Sequence, residues 1–154
     1  MPRGAKIGDV VEIATPNGFA YAQMTHRNRL FGALIRALPG LFPRRPSNLS
    51  ELVAGPSAFQ VFYPLGAALT RKIVTLVERM DVPEHARPFP LFRSGTPDPI
   101  TKQVKNWWFW DGEESWPMGS LTAEQRKMPI RMVVNHEALV TMLASGWTAE
   151  RDRW

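Results

Sequence analysis

The three histidines are the residues with the clearest potential for metal chemistry. His26, His85 and His136 lie far apart in the sequence, and none belongs to an H-x-H or H-E-x-x-H motif that would bring two imidazoles to one ion. Each is interpreted as a surface or capping side chain, with His136 hydrogen-bonding locally at the start of a helix. The chain also has no P-loop and no G-x-G-x-x-G motif, so we predict neither a metal site nor a cofactor.

Residues for nucleophilic or acid–base catalysis are equally sparse. There is no cysteine and no G-x-S-x-G motif, and Ser94 and Ser120 fall in stretches predicted to be loops. Asp111, Glu113 and Glu114 are clustered acids, as a catalytic carboxylate pair requires, but they follow a turn and are interpreted as a solvated loop. We therefore assign no catalytic residue.

The aromatic run Trp107-Trp108-Phe109-Trp110 has the most unusual composition in the chain. In a strand, alternation puts Trp107 and Phe109 on one face and Trp108 and Trp110 on the other, so that one pair is expected to fill the core. The other pair would lie under a loop or form an apolar contact patch for a protein. Lys102 and Lys105 stand nearby, which leaves base stacking with a single-stranded nucleic acid as a further interpretation.

Positive charge is concentrated in the first third of the sequence. The formal charge is +5, and residues 1–50 carry seven basic and two acidic side chains, so the whole excess lies there. Such a field favours an anionic partner, although a solvated basic surface that aids solubility is the alternative. Large aromatic and arginine residues are common anchors of protein interfaces. On that ground the interface candidates are Arg29, Arg44, Arg45, Trp108, Trp110 and Trp116.

Composition limits the compartment and the number of domains. A length of 154 residues predicts one domain, 1–154, with one core. The absence of cysteine favours a reducing compartment, and the polar start has no apolar region of the kind a signal peptide needs. The most apolar stretch, residues 30–42, is too short and too interrupted to span a bilayer. We expect a cytoplasmic protein with no membrane contact.

Strands are the elements that must position these side chains. Fourteen prolines and eleven glycines disfavour a helical bundle. Thr15-Pro16-Asn17-Gly18 is a strong turn signal between two strand patterns. Residues 83–99 hold five prolines and predict an extended loop. The predicted strands cover residues 9–14, 19–27, 30–38, 58–63, 72–80 and 105–111, with a short strand at 131–134.

Two helices complete the prediction. A short one starts at Ser47 or Asn48 and runs through Val53, and a terminal one starts after the N-cap Asn135 and ends near residue 145, before Gly146. The fold class is therefore α+β and β-rich. We expect a strongly bent antiparallel sheet of about five or six strands, partly barrel-like, with a C-terminal helix and one short helix.

Several segments resemble the bacterial immunity protein 26 family, which belongs to polymorphic toxin systems. The similar segments are KIGDVVEI, the P-N-G turn with FAYAQM, NLSELV, AFQVFY, DVP followed by PFPLFR, WWFWDGE, and HEALVTML. Their shared order extends over nearly the whole chain and is stronger evidence than any single motif. Many relatives have a glycine-tryptophan pair where this chain has Arg71-Lys72-Ile73.

The resemblance implies a cytoplasmic protein that binds and neutralises a cognate bacterial toxin without chemistry of its own. Inhibitors of nuclease toxins are expected to be acidic, whereas this chain is basic, so the toxin is predicted to be acidic or neutral, and nucleic acid is a less favoured partner. The same family label covers a small phosphotriesterase-like protein, which gives a hydrolase as one alternative. A basic nucleic-acid-binding module is the second.

Overall fold

The computed structural model describes residues 4–152 and residue 154, and it contains eight strands and three α-helices in this part of the chain. The strands are β1 (Asp9–Thr15), β2 (Gly18–Asn28), β3 (Gly32–Ala37), β4 (Phe59–Phe62), β5 (Thr75–Arg79), β6 (Phe92–Ser94), β7 (Trp107–Trp110) and β8 (Ser115–Gly119). The helices are α1 (Leu49–Ala54), α2 (Leu65–Thr70) and α3 (His136–Ser145), with single 3₁₀ turns at Glu84–Ala86, Gln125–Lys127 and Ala149–Arg151. None of the described helices is long and apolar enough to cross a membrane.

The large sheet contains five antiparallel strands in the order β4-β3-β2-β1-β5. The β1–β2 hairpin closes at Thr15↔Gly18, on the turn that the sequence predicts. Register shifts in the β1–β5 and β2–β3 pairs insert an extra residue into one strand of each pair, and such bulges bend a sheet. Among the described residues β4 and β5 do not pair, so the sheet is bent but not closed into a barrel. The predicted β-rich α+β class is confirmed.

Helices cover both faces of the large sheet. Ala22 and Met24 lie in the core cluster that Leu139 of α3 joins, whereas Tyr21 lies in a second cluster with Leu49 of α1. This alternation along β2 follows from the two-residue period of a strand.

The ends of α3 also follow the sequence. Asn135 Oδ1 accepts a hydrogen bond from the Ala138 N–H at 2.8 Å, and Gly146 ends the helix in the left-handed region with φ 67°. Both signals are the ones predicted, because an asparagine caps free N–H groups and glycine tolerates a positive φ.

The small sheet, with order β6-β7-β8, is a separate layer that the sequence does not predict. β6 has only three residues and lies inside the proline-rich stretch predicted to be a loop, because so short a strand has no detectable period. β8 contains Trp116 and Pro117, lies outside the predicted strands, and pairs with β7. The sequence predicts only one short helix, α1. The second short helix, α2, is not predicted, because its six residues are too few for an amphipathic pattern.

The segment 129–134 joins the two sheets. It was predicted to contain a strand, but it forms two isolated parallel bridges, Phe62↔Val133 to the large sheet and Arg93↔Ile130 to the small one. Each bridge carries backbone hydrogen bonds of 2.9 to 3.1 Å. Beside it an aromatic cluster fills the space between the sheets. Its members are Phe31, Phe62, Phe89, Phe92 and Trp110.

Candidate binding site

The four aromatic side chains of β7 lie in different environments. Trp107 and Trp110 are each 3% exposed, whereas Trp108 is 42% exposed. Phe109 is partly buried. The expectation that one alternate pair fills the core is therefore wrong, because one residue of each pair is buried and the other is not.

The register of the small sheet explains this pattern. Directly opposed residues of antiparallel strands share a face, so Trp110 lies with Phe92 and Trp108 lies with Ser94 on the same side of the sheet. The large sheet covers the Trp110 end of that side and leaves the Trp108 end open. Phe109 lies on the other side, where its ring stacks on Trp116 with centroids 5.6 Å apart. Each face is thus covered along only part of its length.

A cavity of about 590 Å³ opens at the uncovered end beside Trp108. This volume falls within the range of ligand-sized pockets. We call it the Trp108 cavity. Its lining includes Ser94, Asp98, Lys105, Asn106, Trp108 and Arg131.

Arg131 is held at this cavity by two aromatic rings. Its guanidinium carbon lies 5.3 Å from the centroid of Phe31 and 5.2 Å from that of Trp110, so the cation faces both π systems. A guanidinium fixed in this way loses less side-chain entropy when it binds a partner. Arg131 is not among the interface residues predicted from the sequence, and no motif surrounds it; only the fold brings it next to Trp108.

The six predicted interface residues do not lie on one surface of the structure. Trp110 is buried, which corrects its assignment as an exposed anchor, and it contacts the aromatic cluster between the sheets. Trp108 and Trp116 are both exposed but belong to opposite faces of the small sheet, because Trp108 pairs with Pro117 and Trp116 with Phe109.

The three predicted arginines lie at opposite ends of the hairpin strand β2. Arg29 follows Asn28, whose side-chain amide donates to Gly112 O in the turn after β7. Arg44 is exposed in the loop near the other end of β2, where Phe19 pairs with Phe42. Eleven residues of strand span about 33 Å, so Arg29 and Arg44 do not share one contact surface.

Arg45 is already bound within the chain. Its Nε donates to Glu12 Oε2 at 3.0 Å, and the Tyr21 hydroxyl donates to the same oxygen at 2.6 Å. Burial alone would raise the pKa of Glu12, but the hydrogen bonds from Arg45 and Tyr21 hold it below its usual value. Burial and the bond to Glu12 raise the pKa of Tyr21. The guanidinium of Arg45 is therefore partly occupied by an internal carboxylate.

The histidines remain separate. His26 contacts Thr25 and the carbonyl of Arg87, His85 contacts the carbonyl of Gly55, and His136 bonds the Tyr63 hydroxyl at 2.8 Å. The described residues contain no group of three or more His, Asp or Glu side chains placed to hold a metal ion.

The acids after β7 form a turn. Asp111 Oδ1 accepts hydrogen bonds from the backbone N–H groups of Glu113 and Glu114 at 2.9 and 2.8 Å. These bonds lower the pKa of Asp111, since they favour the ionised carboxylate. The predicted interpretation as a solvated loop agrees with this geometry.

No family model, curated protein or solved structure matches this chain. The resemblance to the immunity protein 26 family therefore stays a prediction.

Proposed function

We propose that this chain is a cytoplasmic immunity protein that binds and neutralises a cognate bacterial toxin, and that the Trp108 cavity is the contact site. The observation that carries the proposal is an exposed Trp108 beside Arg131, a cation already ordered by Phe31 and Trp110. Tryptophan and arginine most often dominate the energy of protein interfaces. The sequence resemblance to an immunity family supplies the biological setting.

The charges at the cavity favour an acidic or neutral partner surface. Lys105 and Arg131 line it, and the one carboxylate among its lining residues is Asp98, which lies 4.0 Å from Lys105 Nζ. A basic rim attracts an acidic surface and repels a basic one, which gives specificity and faster association.

The test is affinity capture of the tagged full chain from its native host, followed by a protection assay. A captured protein counts as the toxin only if it arrests growth of a host that lacks this chain and the wild-type chain prevents that arrest. A captured protein without such toxicity, or toxicity that this chain does not relieve, would overturn the proposal. Binding that persists as salt is raised separates a protein interface from phosphate-led binding of nucleic acid.

Two tryptophans provide a matched pair of variants. Trp108 and Trp116 are 42% and 40% exposed but lie on opposite faces of the small sheet. Trp108→Ala is expected to weaken toxin binding about 30-fold, as loss of an interface anchor does. Trp116→Ala is expected to change it less than about threefold. The reverse order would place the contact on the other face and contradict the assignment to the Trp108 cavity.

A further inference from the structure

A second cavity, of about 550 Å³, lies on the other side of β7. We call it the Arg126 cavity. It is lined mainly by the loop before β7, the segment after β8 and the C-terminal residues. The residues that matter below are Lys105, Trp107, Arg126, Arg151 and Asp152.

A buried arginine lies directly behind the wall of this cavity. Arg93 is 0% exposed, and its guanidinium carbon lies 4.3 Å from the ring centroid of Trp107, which is part of the wall. Its Nη2 donates to Ala149 O at 2.8 Å and to Arg126 O at 3.4 Å. Its Nε and Nη1 have no hydrogen-bond partner in the described part of the chain. A buried cation with open donors is rare enough to need an explanation.

The positive charges around the cavity are not balanced. Lys105, Arg126 and Arg151 line it, with Arg93 behind them and Asp152 as the only side-chain carboxylate among the lining residues. Lys105 also lies 4.0 Å from Asp98, so the excess rests mainly on the three arginines. Arg126 Nη2 donates to the backbone carbonyl of Asp152 rather than to its carboxylate.

The repulsion between two neighbouring arginines also favours an anion at this cavity. Burial and then the neighbouring charge of Arg126 lower the pKa of Arg93 to about 10, with Asp152 opposing the shift. Arg93 and Arg126 therefore repel each other, and an anion between them and solvent would relieve that repulsion.

We propose that the Arg126 cavity is a binding site for an oxyanion, a carboxylate or phosphate group of a ligand. Arg126, Arg151 and Lys105 contact the group, because their side chains line the cavity and cations on flexible stems bind oxyanions through charge-assisted hydrogen bonds. Arg93 supplies positive charge from behind Trp107 without touching the ligand. Lys105 borders both this cavity and the Trp108 cavity, whereas Arg126 and Arg151 line this one alone. The two arginines therefore test the oxyanion site without altering the lining of the toxin contact.

The experiment titrates inorganic phosphate into the full chain at constant ionic strength and follows the indole N–H resonance of Trp107, assigned with Trp107→Phe. A saturable shift is expected in the wild type. Arg126→Gln is expected to weaken phosphate about tenfold, as loss of one charge-assisted contact does. Arg151→Gln is a second variant with the same expected direction, which keeps the test open if Arg126→Gln does not fold.

Lys127→Gln is the matched control. Lys127 is the next residue and carries the same charge, but it is exposed, contacts Glu124 at 3.3 Å and is not among the residues lining the cavity. Its loss is expected to change phosphate affinity less than about twofold. A Trp107 shift that is absent or non-saturable with both phosphate and the peptide probe described below would overturn the proposal, and so would an equal loss in Lys127→Gln and Arg126→Gln, which would indicate general screening.

A second arm repeats the titration with a hexaglutamate peptide. Tighter binding of hexaglutamate at the same indole identifies a carboxylate presented by an acidic protein as the source, whereas tighter binding of phosphate identifies a free phosphate group. Either result supports the site, and failure of both probes contradicts it. Because no toxin is present, this outcome is independent of the immunity proposal.

Discussion

Two arginines are fully buried in the described part of the chain, and their surroundings are opposite. Arg36 lies in β3 of the large sheet and is 0% exposed, and all three of its nitrogens donate hydrogen bonds to neutral oxygens. Those acceptors, at 2.7 to 3.0 Å, are Ser57 Oγ, Gln23 Oε1, Val53 O and Gly55 O. Arg93 lies in β6 of the small sheet, equally buried, with two of its three nitrogens unpartnered in the described structure.

The difference separates a structural role from a binding role. Val53 and Gly55 lie at the end of α1, so Arg36 satisfies carbonyls that a helix end leaves free and fixes α1 on the sheet. Neutral oxygens at short range are enough to hold a buried guanidinium when its donors are satisfied. Arg93 makes fewer such bonds, so its charge is only partly compensated within the described chain. An anion in the Arg126 cavity, as proposed above, would offset that charge through space.

The largest expected effect is that of removing the satisfied arginine. Arg36→Met keeps much of the side-chain volume but removes the guanidinium donor from Ser57 Oγ, Gln23 Oε1 and Val53 O, while Gly55 O keeps its contact with His85. We expect the free energy of unfolding to fall by about 4 kcal/mol, the cost of breaking a buried network around a charge. Urea denaturation at neutral pH measures it.

The control for that variant is an exposed arginine. Arg29→Met removes the same charge from the turn after β2 and is expected to change stability by less than about 0.5 kcal/mol. A loss below about 1 kcal/mol in Arg36→Met would show that its bonds do not support the large sheet, and the comparison would fail.

The second-largest expected loss of stability concerns the aromatic cluster between the two sheets. Trp110 contacts Phe31, Phe62, Phe89 and Phe92, so Trp110→Ala opens a void in the cluster that attaches the small sheet to the large one. We expect a loss of about 3 kcal/mol in urea denaturation.

Trp108→Ala is the matched control for the junction. Trp108 lies two residues away on β7 with an exposed ring, and its truncation is expected to change stability by less than about 1 kcal/mol. Equal losses in the two variants would mean that Trp110 does not act as the attachment.

The large sheet was more predictable from sequence than the small one for a physical reason. β1 and β2 are seven and eleven residues long, alternate regularly and meet at Pro16-Asn17-Gly18, so period and turn chemistry agree. β6 has three residues, and its pairing with β7 spans a loop of 12 residues, from 95 to 106, that carries no hydrophobic period.

The candidate sites were less predictable still. Arg131 and Arg126 become relevant only because the segment after the small sheet returns between β4 and β6 and brings the C-terminal residues with it. No local pattern around either residue marks it. The N-terminal excess of basic residues was the visible signal, yet the fold buries Arg36 and pairs Arg45 with Glu12.

The third prediction concerns the unsatisfied arginine. Arg93→Met loses one good hydrogen bond, to Ala149 O, and removes two unpartnered donors and the repulsion with Arg126. Replacing a poorly compensated buried charge by an apolar side chain of similar size is often neutral. We expect a change of less than about 1 kcal/mol in urea denaturation, in either direction. A loss as large as that of Arg36→Met would mean that Arg93 is structural and would remove the contrast between the sheets.

The smallest expected change in stability concerns a third kind of arginine, one that is paired with a carboxylate. Arg45 and Tyr21 hold the pKa of Glu12 below its usual value against the opposing effect of burial. A carboxyl with a lowered folded pKa stabilises the fold above its unfolded pKa of about 4.3 and loses that contribution as pH falls through the folded pKa. Glu12→Gln is therefore expected to cost less than about 1 kcal/mol at pH 7, as a partly exposed pair does, and less at pH 3, where more of the carboxyl is protonated. The cost of Arg36→Met should be equal at both pH values, since its acceptors do not ionise. Urea midpoints of both variants at pH 7 and pH 3 make the distinction, and a pH-independent cost for Glu12→Gln would show that the bonds to Arg45 and Tyr21 do not favour the ionised carboxylate.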